Sequence, residues 1–278
     1  MRSSPVASVI SWVRGLILVV RSSGGALLLA SSTMPLLQVT DVVKSFGGVT
    51  AVNELSLQVE RGQVVALIGP NGAGKSTLMN TLSGLHHPDS GSISFGGAPI
   101  HRLDPPRIAH LGIGRTFQIP RVFSRLTVRD NVLVPVAHRE AMSGDIHQRV
   151  DQLLGLVNLG DKAGQYASEL SGGQQKLLEL ARALMPEPQL VLMDEPFAGV
   201  HPELKQTLID AIRATNRDHD TTFLIVSHEM PVVAALCQWV FAIHLGANYL
   251  EGHPHEVLAD KRLVDIYLGK ATGHADSR

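Results

Sequence analysis

Nine consecutive residues constrain this chain more than any other feature. Gly69-Pro70-Asn71-Gly72-Ala73-Gly74-Lys75-Ser76-Thr77 satisfies the pattern G-x-x-x-x-G-K-[ST]. A short apolar run, Val64–Ile68, precedes it, and a helix is expected from about Lys75. Glycines in such a loop let backbone N–H groups turn inward around phosphate oxygens. The helix N-terminus adds partial positive charge at the same place. Lys75 is expected to reach the β- and γ-phosphates and Ser76 to ligate Mg²⁺. A glycine-rich turn with a chance Lys-Ser is the bland alternative, and the strand-loop-helix order argues against it. The motif says nucleotide binding. It does not say what the nucleotide drives.

The rest of the chain reads as α/β. Leu37–Val43 and Leu55–Val59 alternate apolar and polar, as half-buried antiparallel strands do. Ser92–Phe95 lies between glycines and predicts a hairpin strand. Leu190–Met193 and Phe223–Val226 are continuous apolar runs, as expected of strands covered on both faces. Leu204, Leu208, Ile209 and Ile212 predict an amphipathic helix, and Val240–His244 with Asn248–Leu250 a terminal hairpin. Between 119 and 176 the pattern turns helical. Ile146, Val150, Leu153, Leu154 and Val157 share one helix face, and Asn131–His138 predicts a helix capped by Thr127. The sum is an α/β core with an antiparallel β subdomain and an inserted helical subdomain.

Composition narrows the partners. With 24 basic and 25 acidic residues the net charge is −1, which gives no case for nucleic acid as a partner. Aromatic residues are 4 %, too few for a base-stacking surface. A single cysteine, Cys237, rules out an internal disulfide and a cysteine metal cluster, and its apolar surroundings suggest packing. Residues 1–33 stand apart, with Arg2, Arg14 and Arg21, no acid, and apolar runs too short and interrupted for a membrane span or an export signal. They read as a disordered extension or as a start assigned upstream of the true one at Met34. Residues 271–278 read as a tail.

Two further motifs carry chemistry. Leu190-Val191-Leu192-Met193-Asp194-Glu195-Pro196 is an apolar strand ending in two carboxylates. Ligands of parallel α/β sheets bind beyond the carboxyl ends of strands. That puts Asp194 beside Mg²⁺ and Glu195 next to the γ-phosphate, where it can polarise water. Leu170-Ser171-Gly172-Gly173-Gln174 then opens a second helix whose N-terminus suits an anion.

With this second motif the chain resembles the ATP-binding cassette (ABC) ATPases over residues 34–270, with 119–176 as their helical subdomain. The resemblance implies ATP and Mg²⁺ as cofactors and ATP hydrolysis coupled to transport. It implies that Gly69 to Thr77 hold the phosphates, that Phe46 stacks on adenine, and that Gln118 contacts Mg²⁺ and the attacking water. Ser76, Gln118 and Asp194 then hold the metal, Glu195 activates water, and His228 contacts the γ-phosphate. A buried core Phe is the rival reading for Phe46. Ser171, Gly172, Gly173 and Gln174 would close on the ATP of a second cassette, in a homo- or heterodimer.

Phe46–Val52, Gly114–Gln118 and the tail Tyr267-Leu268-Gly269 are similar to the branched-chain amino acid importer ATPases of bacteria. Urea and amide importers and a lipopolysaccharide exporter share these features, and a non-transport ABC ATPase is a further alternative. The importer reading implies integral-membrane permease subunits, indirectly a periplasmic solute-binding protein, and a peripheral position on the cytoplasmic face of the inner membrane. One position departs from the family: the loop Ala198-Gly199-Val200-His201 ends in His where Asp or Asn is usual.

Overall fold

The fold was taken from a computed structural model, which describes residues 17–18, 30–31, 34–137 and 144–267. Two units divide the chain, Met1–Met34 and Pro35–Arg278. In the first, Ile17–Leu18 (β1) and Ala30–Ser31 (β2) pair antiparallel. The rest of the 1–33 expectation, the 271–278 tail and the His138 end of the expected helix lie outside the described residues.

The second unit begins with two long strands, Leu37–Phe46 (β3) and Val49–Val59 (β4), joined by a tight turn at Gly47-Gly48. They run longer than their alternating cores suggest. Ser90–Phe95 (β6) and Ala98–Pro99 (β7) complete an antiparallel sheet of order β4-β3-β6-β7.

A larger sheet has the order β12-β11-β5-β10-β9-β8. Its members are Val64–Ile68 (β5), Ile113–Arg115 (β8), Leu190–Asp194 (β9), Thr222–Val226 (β10), Trp239–His244 (β11) and Ala247–Gly252 (β12). All its pairs are parallel except β11 with β12. Every residue of β5, β9 and β10 is buried, as unbroken apolar runs require.

Side-chain alternation along these strands feeds two faces. Val65, Leu67, Leu190, Leu192, Leu224 and Val226 pack with the antiparallel sheet and helix Lys75–Leu82 (α1). Val191, Met193, Phe223 and Ile225 pack instead with the helices. Those helices include Val128–Leu133 (α3), Gly144–Leu156 (α4), Gly172–Leu184 (α5) and Pro202–His219 (α6); the short helix Pro105–His110 (α2) precedes β8. Thr127 caps α3, its side chain accepting from the Asp130 N–H, but the α-helix ends at Leu133 and passes into a 3₁₀ turn at Pro135, where a proline inside the pattern breaks the regular ladder. The C-terminal helices Met230–Leu236 (α7), Pro254–Ala259 (α8) and Lys261–Tyr267 (α9) cover Ala66, Ile68, Val240 and Ala242. No helix among the described residues is long and apolar enough to cross a membrane.

Candidate active site

The loop between β5 and α1 is built on conformations only glycine adopts freely. Gly74 has φ +99°, and a Cβ there would collide with the Ala51 carbonyl oxygen. The loop therefore lies directly against β4. Lys75 opens α1 and is 7 % exposed. Its Nζ donates to the Gly69 carbonyl at 2.7 Å and the Pro70 carbonyl at 2.9 Å. Burial lowers its pKa, and the nearby Glu195 and Asp194 charges oppose that.

Parallel register brings the carboxylates to this loop. Asp194 ends β9 opposite Val226 at the end of β10, so the residues that follow each strand emerge side by side. The Glu195 N–H donates to the Val226 carbonyl at 3.0 Å. Glu195 Oε1 lies 3.0 Å from His228 Nε2. Glu195 itself has φ +50°, unusual for a residue with a side chain. Lys176, on α5, holds this turn: its Nζ donates to the Glu195 and Ala198 carbonyls, each at 2.8 Å.

Burial raises the pKa of both carboxyls. For Asp194 the Arg115 charge, a hydrogen bond from Ser76 and the Lys75 charge pull it back. For Glu195 the Lys75 charge pulls it back and the Asp194 charge adds to the rise. The His228 pKa is lowered, by burial and then by the Lys75 charge. A carboxyl whose proton affinity burial raises, beside an imidazole whose proton affinity burial lowers, suits a proton acceptor for water.

Gln118 reaches the same place from the opposite edge. β8 pairs parallel with β9, and the Thr116 N–H donates to the Leu192 carbonyl at 2.9 Å, which delivers the following residues to the sheet's carboxyl end. The result is a cleft of about 270 Å³, lined by residues 71–77 with Ala51, Gln118, Asp194, Glu195 and His228.

A divalent cation fits this donor set. Asp194 Oδ1 is buried without a hydrogen-bond partner, and Ser76 bonds the same carboxyl group. No group of three or more His, Cys, Asp or Glu among the described residues forms a metal cage. A metal here would rest on Asp194, Ser76, Gln118 and phosphate oxygens, the coordination Mg²⁺ usually takes.

The other expected residues do not line the cleft. Ser171 caps α5 in a reciprocal box with Gln174, the Gln174 N–H donating to Ser171 Oγ at 3.3 Å and the Ser171 N–H to Gln174 Oε1 at 3.0 Å. Ser171 and Gly172 are exposed. Phe46 is 46 % exposed at the end of β3, with the His86 ring edge-on at 5.1 Å, which removes the buried-core reading. His201 is exposed at the start of α6 and makes no capping bond.

Sequence reasoning missed two polar contributors. Lys176 gave no signal, because its partners are backbone carbonyls. Tyr267 reads in the sequence only as part of a tail motif, yet its Oη accepts the Gly69 N–H at 2.8 Å, and its ring meets His228 edge-on at 6.3 Å. Burial pushes its hydroxyl up to about 12.

Strand, glycine loop, helix and paired carboxylates define a nucleotide-hydrolysing P-loop ATPase. Comparison with known proteins makes this specific. The profile of the ABC transporter family matches residues 52–198. A probable branched-chain amino acid transport ATP-binding protein, LivG of Archaeoglobus fulgidus, is 36 % identical over 85 % of this chain and 96 % of its own length. The high-affinity branched-chain amino acid transport ATP-binding protein BraF of Pseudomonas aeruginosa is 35 % identical over 85 % of this chain and 99 % of its own. The ADP conformation of MJ1267, an ATP-binding cassette of an ABC transporter, superposes with a TM-score of 0.77 at 33 % identity, covering 85 % of this chain and all of that one. A dimeric post-hydrolysis cassette, MJ0796 bound to ADP and Pi, gives 0.72 at 26 % identity over 78 % of this chain and 98 % of that one. The chain belongs to the ABC transporter family, as an ATP-hydrolysing cassette.

Proposed function

We propose that this chain is the ATPase subunit of an importer for branched-chain amino acids or a similar small solute. The observation that supports ATP-driven work is the convergence of Lys75, Gln118, Asp194, Glu195 and His228 on one cleft. The solute class is supported by likeness to LivG and BraF. Urea, amide and lipopolysaccharide transporters share the same motifs, but the likeness to LivG and BraF favours branched-chain amino acids.

In this reading Lys75 and the loop amides bind the β- and γ-phosphates. Ser76, Asp194 and Gln118 hold Mg²⁺, which offsets phosphate charge when bound. Glu195 accepts a proton from the attacking water, and His228 contacts the γ-phosphate. Phe46 stacks on adenine from the rim. Ser171, Gly172, Gly173 and Gln174, which do not line their own cleft, close on the ATP of a second cassette, this chain or a paralogue. The ATPase unit is residues 34–270, with 119–176 as its helical part.

Permease subunits receive the motion beside Gln118. Ile119 is 79 % exposed and Phe123 48 % exposed there, a cost in water that a partner would relieve. That puts the protein on the cytoplasmic face of the inner membrane, with a periplasmic solute-binding protein upstream. The test is uptake of labelled leucine by cells with and without this chain. Loss on deletion and rescue by the wild type, but not by Glu195→Gln, supports the reading. Unchanged uptake of leucine, isoleucine and valine refutes the solute class.

A further inference from the structure

We propose that Glu179 is a positioning residue for ATP hydrolysis, its carboxylate fastening both ends of the segment that carries Gln118. The inference rests on the reading of Gln118 as a ligand of metal and water.

Residues 116–123 belong to no helix or strand. Gln118 and Ile119 are exposed, so no packing fixes the amide of Gln118 at the cleft. Two backbone N–H groups of this segment find one side chain instead. Glu179 Oε2 accepts from Phe117 N–H at 3.2 Å, and Oε1 accepts from Arg121 N–H at 3.0 Å. The two donors flank Gln118 on either side. Glu179 is 1 % exposed, and the Arg182 guanidinium lies 3.5 Å from it. A buried carboxylate costs free energy unless its oxygens are bonded. Here both are, and to the backbone of one loop. Their geometry restrains that loop as a clamp restrains a strap.

Glu179 stands on α5, three residues from Lys176, so both side chains leave the same helix face. Lys176 holds the turn after Glu195. Ser171 begins the same helix. A shift of α5 therefore moves the Gln118 segment and the Glu195 turn together. The end of the helix that serves the second cassette's ATP is thereby tied to two loops of its own site. A fold-stabilising ion pair with Arg182 is the competing role, and it predicts a loss of stability with no selective effect on hydrolysis.

The test compares the full-length chain with Glu179→Gln, Gln118→Ala and the double variant. Glutamine keeps the volume but has one acceptor oxygen, so one of the two N–H groups loses its bond. In the nucleotide-free protein, hydrogen exchange at Phe117 or Arg121 should quicken in Glu179→Gln while α5 itself stays protected. Turnover should fall roughly tenfold and half-saturation should need more Mg²⁺. ATP affinity without Mg²⁺ should stay within about twofold. The double variant should turn over no more slowly than Gln118→Ala alone, because the second change acts through the first. Full turnover in Glu179→Gln, or additive losses in the double variant, would overturn the proposal. Unchanged turnover in Gln118→Ala would instead refute the reading of Gln118, and the proposal with it. If Glu179→Gln does not fold, Glu179→Asp carries the comparison, since it keeps the charge beside Arg182 and shortens the reach.

Discussion

Replacing Glu195 by Gln separates binding from hydrolysis. The substitution keeps the side-chain volume and removes the charge. Glu195 Oε1 sits 3.0 Å from His228 Nε2, so a glutamine oxygen can keep that contact. What is lost is the proton acceptor. General base catalysis contributes about 10²–10⁴ in rate, or about 3–5 kcal/mol at 1.36 kcal/mol per tenfold. Binding should move the other way. The carboxylate lies in the same cleft that is to receive a γ-phosphate, and two such charges about 6 Å apart repel by about 0.7 kcal/mol in water and about 3 kcal/mol at an effective dielectric of 20. The lost attraction to Lys75 offsets part of this relief. ATP affinity should therefore be equal or a few-fold tighter, while turnover falls at least about a hundredfold. Where two cassettes close on ATP, a variant unable to hydrolyse it should also accumulate an ATP-bound dimer. The assay pairs steady-state phosphate release with fluorescent-nucleotide titration and light scattering. Turnover within threefold of wild type would refute Glu195 as the base. Loss of ATP binding would show that its carboxylate shapes the cleft instead.

Three further predictions follow the same geometry. Lys75→Ala should weaken ATP binding by roughly thirtyfold or more, measured by titration, with Tm changed by less than about 4 °C, because lost bonds to Gly69 and Pro70 are offset by removing a buried ammonium. Ser171→Ala should cost about 1 kcal/mol of stability through the lost cap and leave ATP binding by the single chain unchanged, yet depress turnover at protein concentrations that favour pairing. The acid limb of kcat/KM should lie above pH 4.5, the ordinary Glu value, since burial raises the folded-state pKa of Glu195 and the base must be ionised to work. A limb at or below 4.5 in a pH series would contradict that assignment.

The interior of this fold is legible in the sequence because burial there leaves no choice of residue type. β5, β9 and β10 need apolar side chains on both faces, so each reads as an unbroken run. The phosphate loop is legible for the opposite reason: only glycine suits Gly74 against the Ala51 carbonyl. Short pieces escaped. β8 is three residues at the sheet edge, Ile-Gly-Arg, with no periodicity to detect. The helix expected over Asn131–His138 overran its end because Pro135 acts on the backbone and not on the apolar pattern. Of the cleft, Lys75, Ser76, Gln118, Asp194, Glu195 and His228 are legible, since each sits in a motif whose residue types suit phosphate and metal chemistry. The residues that hold them are not. Lys176, Glu179 and Tyr267 bond to backbone groups, and a main-chain N–H or carbonyl leaves no mark on the sequence of its partner.

In the proposed function two cassettes, each with an exposed Ser171 helix end and a cleft of its own, meet around Mg-ATP. The most direct test is steady-state ATP turnover by the full-length chain across protein concentration, with and without Mg²⁺. Turnover should require Mg²⁺ and rise more than linearly with protein until pairing saturates. Turnover that is strictly linear from the lowest concentration, or that persists in EDTA, would contradict it.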